Sequence, residues 1–387
     1  MKYPDDEAVA LLREEDFPIT RNYLYLDHAG VSPVPVRAVD AANRFLTQAS
    51  REGAFVYDLW SENIEGVRRA CAELIGAASP TDVSFVKNTS HGISIVARGL
   101  DWKRGDNVVL VEGEFPANAY PWLPLKEKGV ELRFVSQGED GVIETAGVAA
   151  LIDSRTRVLA ISSVQYWSGF RADLEALGAL CKGAGVYLLV DAIQSLGVVP
   201  MDVERYNVDF LAADGHKWLM APEGTGIFYC REGLAERLDP PLLGWKSVVN
   251  ESDYDHIDFT LKPNALKFEE GSLNMVGVYA LGATVDLLLD LGVENVRGRV
   301  VGLGDLLISE ALKRGWRVIT PKEPEKRGGI VSFAGGFDPL YVKEKLRDNR
   351  VMVNVRRGAL RVSPHFYNTA DDIAGFFSAI DSALDNS

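Results

Sequence analysis

The strongest constraint on the fold of this chain is a series of short apolar segments that alternate with segments of helical periodicity. The apolar segments have few polar positions, a pattern typical of strands that are covered on both faces of a sheet. Seven of them lie at residues 83–86, 107–111, 132–135, 158–162, 187–191, 210–212 and 226–229. Because helical segments separate most of these strands, the sequence predicts an α/β fold with a mainly parallel, seven-stranded sheet and helices on both faces.

The pattern changes after about residue 240. Loop-like segments lead to a long apolar helix predicted over residues 276–291. Beyond it, a mixture of strands and helices indicates a smaller α+β domain, with strands at 317–319 and 329–333 and helices near 340–348 and 371–384.

We therefore predict three parts for the chain. Residues 1–20 form an N-terminal segment that packs with the small domain, residues 21–275 form a large domain, and residues 276–387 form the small C-terminal domain. No repeat of 20 to 50 residues and no low-complexity segment interrupts this organisation.

Composition excludes several functions. The net charge of −14 over 387 residues argues against a nucleic-acid ligand, because the surface would repel a phosphate backbone. The cysteines Cys71, Cys181 and Cys230 are scattered, so we predict reduced thiols and no metal site. The start of the chain lacks the features of a signal peptide, and no apolar run has the length of a membrane span. We expect a cytoplasmic protein that contacts no membrane.

One lysine lies in an unusual setting. The apolar strand at 210–212 leads into a tight turn that contains glycine, and the turn presents Lys217 between His216 and Trp218. Rigid, partly apolar surroundings disfavour the charged ammonium, which lowers the pKa of a lysine and makes the amine a usable nucleophile. A lysine that forms a Schiff base, in particular with pyridoxal 5′-phosphate (PLP), needs this environment. A lone turn lysine is more often simply solvated, so the case depends on the other strand ends.

Other predicted strands end in polar residues that suit the same cofactor. Ligands of open α/β sheets bind beyond the carboxyl ends of the strands. Asp191 ends one strand, where it either caps a helix or pairs with a pyridinium nitrogen and keeps that nitrogen protonated. Gln194 follows three residues later, and Gln165 follows the strand at 158–162. Both glutamines are candidates to hydrogen-bond the hydroxylate oxygen of the ring.

The start of a predicted helix offers a phosphate site. Thr89 and Ser90 follow the strand at 83–86, and a helix N-terminus there provides free N–H groups, hydroxyls and a favourable dipole. Plain N-capping is the alternative. Phe115, in the turn after the strand at 107–111, is a candidate to stack on the cofactor ring, although an aromatic side chain more often belongs to a core.

With these residues in place, the chain resembles the class V aminotransferases, a group of fold type I PLP enzymes that includes the cysteine desulfurases, kynureninase and isopenicillin N epimerase. The resemblance covers about residues 25–369 and implies a fold type I PLP-dependent transferase with a PLP-binding large domain. The motifs that carry it are Tyr25-Leu26-Asp27-His28-Ala29, Asp191-Ala192-Ile193-Gln194, His216-Lys217-Trp218, Phe268-Glu269-Glu270-Gly271-Ser272 and Arg361-Val362-Ser363-Pro364-His365-Phe366-Tyr367-Asn368-Thr369.

The resemblance implies a role for each candidate residue. Lys217 forms the Schiff base, and Asp191 pairs with the pyridinium nitrogen. Ser272 reaches the phosphate of the partner subunit, so that a homodimer shares its active sites. Arg361 binds the substrate α-carboxylate, which a planar guanidinium suits better than an ammonium does. The remaining implied contacts are to the ring oxygen from Gln165 and Gln194, to the phosphate from Thr89, Ser90 and His216, and to the ring face from Phe115.

Departures from the desulfurase pattern bear on the substrate. Desulfurases carry a nucleophilic cysteine shortly before the substrate-binding arginine, whereas residues 354–360 here contain none. Asp214 replaces a serine near the phosphate, and Phe115 replaces a stacking histidine. We assign His28 to substrate binding. The predicted determinants of specificity are the loop residues His28, Tyr57, Trp167 and Arg357.

We predict a PLP-dependent enzyme that acts on an amino acid, and we favour transfer of the amino group to a keto acid. β-Elimination by a lyase and epimerisation are the alternatives, because the same lysine, aspartate and arginine serve all three reactions. A nucleotide-dependent oxidoreductase is disfavoured, since neither of the glycine pairs at 183–185 and 224–226 continues as a dinucleotide-binding motif. A non-catalytic scaffold would need none of Lys217, Asp191 and Arg361. The expected partners are small amino acid and keto acid substrates.

Overall fold

The computed structural model describes residues 6–385 and places a seven-stranded sheet at the centre of the molecule. In those residues the strands are β1 (Leu24–Tyr25), β2 (Val83–Val86), β3 (Asn107–Val111), β4 (Glu131–Val135), β5 (Thr156–Ser162), β6 (Tyr187–Asp191), β7 (Phe210–Asp214), β8 (Gly226–Cys230), β9 (Arg317–Val318), β10 (Val331–Ala334), β11 (Val351–Met352), β12 (Asn354–Arg356) and β13 (Ala359–Val362). The α-helices are α1 (Asp6–Asp16), α2 (Val36–Arg51), α3 (Tyr57–Ile75), α4 (Thr89–Gly99), α5 (Thr145–Ala149), α6 (Leu174–Ala184), α7 (Met275–Leu291), α8 (Val293–Lys313), α9 (Pro339–Asp348) and α10 (Ala370–Asp385).

The central sheet has the strand order β2-β8-β7-β6-β5-β3-β4. Strand β8 runs antiparallel to both of its neighbours, β2 and β7, and the other neighbouring pairs are parallel. Strands β3, β7 and β8 are buried along their whole length, which explains why their sequences show no polar alternation. The prediction of an α/β fold with a mainly parallel seven-stranded sheet is confirmed.

A second, antiparallel sheet with the order β12-β13-β10-β9 lies in the C-terminal part of the chain, where α9 and α10 pack together. This part matches the expected smaller α+β unit. Helix α8 has no counterpart in the sequence predictions. Its buried residues do recur at helical spacing, from Val296 and Val300 to Ala311. The glycines at 298, 302 and 304 lower its intrinsic helix propensity and obscure that pattern.

The segment Tyr120–Lys128, between β3 and β4, is a 3₁₀ helix. Pro121 and Pro124 lie within it, and proline has no N–H group to donate. Pro121 is in the first turn, where an N–H has no intrahelical acceptor, but Pro124 would cost a regular α-helix one hydrogen bond.

Contacts between distant parts of the chain hold its two ends together. Strand β1 pairs in parallel with β11, and Arg13 of α1 forms an ion pair with Asp372 of α10 at 2.6 Å. Helix α7 packs against α2 and α3. The domain division at residues 20/21 and 275/276 stays a prediction. In the described part of the chain no single helix is long and apolar enough to span a bilayer, and α7 with α8 would qualify only as a pair bent by 82°.

Candidate active site

A cavity of about 220 Å³ opens where the carboxyl ends of several central strands meet. Predicted site residues that line it are Thr89, Ser90, Phe115, Gln194, His216, Lys217 and Arg361. A larger cavity of about 550 Å³ lies near the start of α6 and contains none of the predicted residues. We assign the site to the smaller cavity because the buried lysine, the free helix terminus and the buried arginine converge there.

Lys217 lies in the turn after β7 and is 8% exposed. Gly215 makes this turn possible, since a Cβ atom at that position would lie 2.8 Å from both the Ala221 Cβ and the Thr225 backbone oxygen. The ammonium nitrogen lies 5.4 Å from the centroid of the Phe115 ring. Burial, followed by the positive charge of Arg361, lowers the pKa of Lys217 to about 8. The structure thus gives the lysine the environment that the sequence predicts.

Asp191 ends β6 and is almost completely buried. Its Oδ1 accepts a hydrogen bond from the Ile193 backbone N–H at 3.1 Å, and Oδ2 has no partner among residues 6–385. Burial, followed by the negative charge of Glu114, raises the pKa of Asp191 to about 7, while the nearby Lys217 charge opposes the shift. A buried carboxylate with one free oxygen is able to hold a protonated ring nitrogen.

The N-terminus of α4 faces the cavity. Asn88 caps the helix by accepting a hydrogen bond from the His91 N–H at 3.0 Å, and the first N–H groups of a helix have no intrahelical acceptor. The Thr89 hydroxyl accepts a hydrogen bond from the Asp214 N–H at 3.1 Å, whereas Ser90 is exposed to the cavity. This end of the cavity offers donors and a favourable dipole to an anion.

His216 lines the same end of the cavity. Its buried Nδ1 lies 3.0 Å from Asp214 Oδ2, but the pair is not aligned as a hydrogen bond, so Nδ1 has no hydrogen-bond partner in the described chain. Nδ1 faces the Asp214 carboxylate, so the rest of the ring is what the histidine offers to a phosphate beside the free helix terminus.

The two glutamines differ in their access to the cavity. Gln194 lines it; its amide donates to the Ala29 oxygen and its carbonyl accepts from the Trp218 indole, both at 3.0 Å. One N–H of that amide is left for a ligand. Gln165 does not line the cavity. It donates to Glu114 at 3.0 Å and accepts from Gln137 at 3.2 Å, so the geometry does not support its predicted contact with the ring oxygen.

Arg361 is buried beside the cavity on β13. Its Nη2 donates to Asp27 Oδ1 at 2.9 Å and its Nη1 to the Tyr166 oxygen at 3.0 Å, while Nε has no partner in the described residues. Asn354 donates to the other oxygen of Asp27 at 2.9 Å. Asp27 is therefore a positioning residue for the arginine. The sequence analysis quotes Asp27 in a motif but gives it no role.

His28 does not line the cavity, so this geometry does not support its predicted role in substrate binding. The ring is completely buried. Its Nδ1–H donates to the Ser363 oxygen at 2.8 Å, which leaves Nε2 to accept from the Tyr367 hydroxyl at 2.6 Å. The polar character at position 28 thus serves to join the N-terminal loop to the C-terminal segment.

Four loop residues are predicted to set specificity, namely His28, Tyr57, Trp167 and Arg357. None of them lines the cavity. Arg356, one position before Arg357, lines it instead. Arg357 has a positive φ of 49° and points away, so that its guanidinium lies 4.4 Å from the Trp167 ring centroid. No local sequence signal distinguishes the two arginines.

Glu114 is a further residue that the sequence analysis passes over. It is buried next to Asp191 and accepts hydrogen bonds from the Ser162 N–H at 2.9 Å, the Ser162 hydroxyl at 2.7 Å and Gln165. Burial raises its pKa despite these bonds. The sequence signal available for it is its position immediately before Phe115, in the turn after β3.

Ser272 lies outside the cavity. It is exposed and lines a separate cavity of about 180 Å³ together with Lys87 and His91. The segment before it is fixed by a buried ion pair in which Arg68 of α3 donates to both oxygens of Glu269, at 2.6 and 3.1 Å. Within this protomer Ser272 does not contribute to the site.

Comparison with known proteins agrees with this geometry. The sequence profile of the family described as Aminotransferase class-V matches residues 24–376. A probable cysteine desulfurase of Methanothermobacter thermautotrophicus is 30% identical, with 92% of this chain and 94% of that protein covered. A cysteine desulfurase of Salmonella dublin is 32% identical, with 86% and 84% covered.

A solved structure has the same fold. The apo structure of a cysteine desulfurase from Thermococcus onnurineus NA1 superimposes with a TM-score of 0.89 at 25% sequence identity, and the match covers 100% of this chain and 99% of the other. A TM-score of this size over both whole chains means that the arrangement of the elements is shared throughout.

Proposed function

This chain belongs to the aminotransferase class-V family of PLP-dependent enzymes, and from that membership we propose that it is a lyase that eliminates a substituent from the β-carbon of an amino acid. The relatives named cysteine desulfurase support a lyase, whereas the sequence analysis favours amino-group transfer. Removal of a β-substituent is the chemistry common to those relatives and to the elimination alternative.

One structural observation carries the proposal: a buried amine and a buried guanidinium line one small cavity, and a buried carboxylate interacts electrostatically with the amine. Lys217 and Arg361 line the cavity, and Asp191, which does not line it, interacts with Lys217. Asp191 Oδ2 is free to accept a hydrogen bond from a protonated ring nitrogen, and His216 and Arg361 line the cavity that would hold a phosphate and a carboxylate. The residues present therefore fit PLP and an amino acid.

PLP, when bound, supplies an electron sink that stabilises negative charge at Cα. We assign the α-carboxylate to Arg361, whose orientation Asp27 and Tyr166 fix. Asp191 would keep the ring nitrogen protonated, Phe115 would contact the ring, and Thr89, Ser90 and His216 would hold the phosphate. Lys217, with its lowered pKa, takes the proton from Cα.

The reaction balances without an external oxidant or reductant. The Cα–H bond breaks and its proton moves to Lys217 Nζ, the electron pair forms a Cα=Cβ bond, and the β-substituent leaves with the electrons of its bond to Cβ. The released enamine tautomerises and takes up water to give a 2-oxo acid and ammonia.

A cysteine of this chain does not accept the leaving group in this proposal. In residues 6–385 Cys71, Cys181 and Cys230 are buried and none lines the cavity. Burial also raises the pKa of each thiol, which disfavours the nucleophilic thiolate. The substituent therefore departs to solvent or to an acceptor molecule.

Replacement of Lys217 tests the central assignment. Lys217→Ala is expected to abolish the visible absorbance of the cofactor–lysine imine and to lower turnover by at least about 10²-fold, because proton transfer by a positioned group contributes that much or more. Absorbance spectroscopy of the purified holoenzyme measures the first effect. A variant whose spectrum matches the wild type would remove Lys217 from the site.

The type of reaction is tested by its products. The holoenzyme is incubated with β-chloro-L-alanine and L-cysteine, and pyruvate, ammonia and the absorbance of the cofactor are followed together. Stoichiometric pyruvate and ammonia with an unchanged cofactor support elimination. Conversion of the cofactor to pyridoxamine phosphate, restored by a keto acid, would instead establish the transfer reaction that the sequence analysis favours.

We also propose that the active site is shared between two subunits. Ser272 is exposed outside its own cavity, and the neighbouring segment presents exposed apolar side chains, among them Leu243, Trp245 and Phe259. The two features are adjacent, since the Lys246 N–H donates to the Glu270 oxygen at 3.4 Å. A dimer through this surface would cover the apolar residues and bring Ser272 to the phosphate of the partner.

A further inference from the structure

A second arginine enters the cavity from the hairpin that carries Arg361. Strands β12 and β13 pair in antiparallel fashion, and Arg356 lies at the end of β12. Its side chain is half-buried and lines the cavity together with Lys217 and Arg361. Two guanidinium groups thus face a space of about 220 Å³.

The two arginines differ in how their charges are balanced. Arg361 is paired with the buried carboxylate of Asp27. Arg356 donates through Nη1 alone, to Asn354 Oδ1 at 2.8 Å and to the Val355 oxygen at 2.9 Å, and both acceptors are uncharged. Among residues 6–385 no carboxylate lies within ion-pair distance of it. Its Nε and Nη2 groups, with three N–H donors, remain free for a ligand.

The positive charge of Arg356 acts on Lys217 and Arg361 electrostatically. After burial and Arg361, it acts in the direction that lowers the pKa of Lys217, and it also opposes the protonated form of Arg361. Because Arg361 keeps Asp27 as its partner, a substrate whose single carboxylate binds Arg361 leaves Arg356 without an anionic partner. A second anionic group on the substrate would neutralise it and use its free donors.

We propose that the substrate is an amino acid whose side chain carries an anionic group, such as a sulfonate, a phosphate or a carboxylate beyond the bond that breaks, and that Arg356 binds this group while Arg361 binds the α-carboxylate. The inference rests on the lyase function proposed above. Arg356 is accordingly a specificity-determining residue.

Matched substrates test the proposal with the holoenzyme. L-cysteate and O-phospho-L-serine carry an anionic group that leaves with the electrons of its bond to Cβ, as sulfite or phosphate, whereas L-cysteine and β-chloro-L-alanine carry a neutral side chain. In Arg356→Gln we expect the ratio of kcat/KM for anionic over neutral substrates to fall about 10- to 100-fold, the usual effect of losing a hydrogen bond to a charged group. Arg356→Lys should restore part of the loss.

Arg357→Gln is the matched control, because it removes the same charge from the same hairpin outside the cavity. Arg357 donates to the Gly113 oxygen at 2.7 Å and is exposed. The ratio of kcat/KM for anionic over neutral substrates should be unchanged in this variant. An equal change of that ratio in both variants would overturn the assignment to Arg356.

Ligand binding separates this inference from the lyase proposal. Maleate and glutarate, which do not react, are titrated against acetate, and the cofactor spectrum reports the Kd. We expect the dicarboxylates to bind more tightly than acetate to the wild type and to lose this advantage in Arg356→Gln. If no amino acid is turned over but this difference is found, the lyase proposal fails and the anion site stands.

Two results would overturn the anion site. One result is turnover of β-chloro-L-alanine combined with equal dicarboxylate affinity in wild type and Arg356→Gln. It would support the lyase activity and rule out the proposed preference for anionic substrates. Weakened retention of PLP by Arg356→Gln, with an unchanged preference among substrates, would assign Arg356 to the cofactor instead.

Discussion

At the scale of single residues, burial brings the pKa values of the two central ionisable groups closer together. It lowers the pKa of Lys217 to about 8 and raises that of Asp191 to about 7, in each case because the charged form loses hydration. Groups with pKa values near the working pH exchange protons most readily. The site therefore derives its chemistry from the apolar setting of the strand ends as much as from the residue types.

The buried His28 makes a prediction about acid stability. Burial lowers its pKa to about 4, whereas an unfolded histidine has a pKa of about 6.5. Between these values the unfolded chain binds a proton that the folded chain does not, so the free energy of unfolding falls as the pH falls from about 6.5 to 4. The slope from one histidine is at most about 1.4 kcal/mol per pH unit.

Urea unfolding of the holoenzyme at pH 7.5, 6.5 and 5.5 measures this slope. His28→Gln is expected to unfold more easily at pH 7.5 but to lose less stability on acidification than the wild type. Part of the slope will remain, because the buried His365 contributes with the same sign. His256→Gln, at an exposed position, is the control and should keep the wild-type slope. Parallel pH profiles for His28→Gln and the wild type would contradict the argument.

At the scale of elements, the contact between α4 and β7 sets the distance between the N-terminus of α4, where we propose that the phosphate binds, and Lys217. A Cβ atom at Gly92 of α4 would lie 2.7 Å from the Cβ of Ala212 in β7 and 3.4 Å from Phe228 Cδ2 in β8. The helix approaches the sheet this closely only because residue 92 has no side chain. Thr89 and Ser90, one turn earlier, are held near Lys217 by the same contact.

Gly92→Ala is therefore expected to push α4 away from the sheet. Overpacking of this kind destabilises by about 1–3 kcal/mol, and the displaced helix terminus should bind PLP more weakly. Urea unfolding and the rate of cofactor release measure the two effects. Gly66→Ala in α3 is the control, since the nearest atom to its new Cβ would be Arg69 Nη2 at 3.7 Å. That variant should be neutral or more stable by up to about 1 kcal/mol, and equal stabilities of the two variants would refute the close-contact argument.

At the scale of the whole molecule, the protomer exposes apolar side chains, and Ser272 lies outside the cavity of its own protomer. Ile257 is 96% exposed and Phe259 is 69% exposed. A contiguous exposed apolar patch commonly marks a protein–protein interface. Together with the outward position of Ser272, the patch supports the proposed dimer with shared active sites.

Sedimentation velocity tests the dimer. The wild type is expected to sediment with the mass of two chains, and Ile257→Asp combined with Phe259→Asp is expected to shift it toward one chain and to lower cofactor retention, because the partner's contribution to the phosphate is lost. Leu340→Asp, at another exposed apolar position, should leave the mass unchanged. A wild type that sediments as a single chain while retaining PLP would contradict the shared site.

The sequence by itself determined the central sheet, the chemistry of its strand ends and the cofactor, because these depend on residues that are close together in the chain. Strand hydrophobicity, the turn around Lys217 and the acid at the end of β6 are local features. The order of polar residues on successive strand ends also follows from chain order once the strands are parallel.

Only the tertiary structure decided which of the other polar residues reach the cavity. His28 is turned toward Ser363 and Tyr367, Asp27 toward Arg361, and Gln165 toward Glu114, in each case through contacts between residues far apart in the sequence. Arg356 and Arg357 are chemically identical neighbours, and of the two only Arg357 has a positive φ. The direction of a side chain depends on such backbone angles and long-range partners, so composition and spacing do not reveal it.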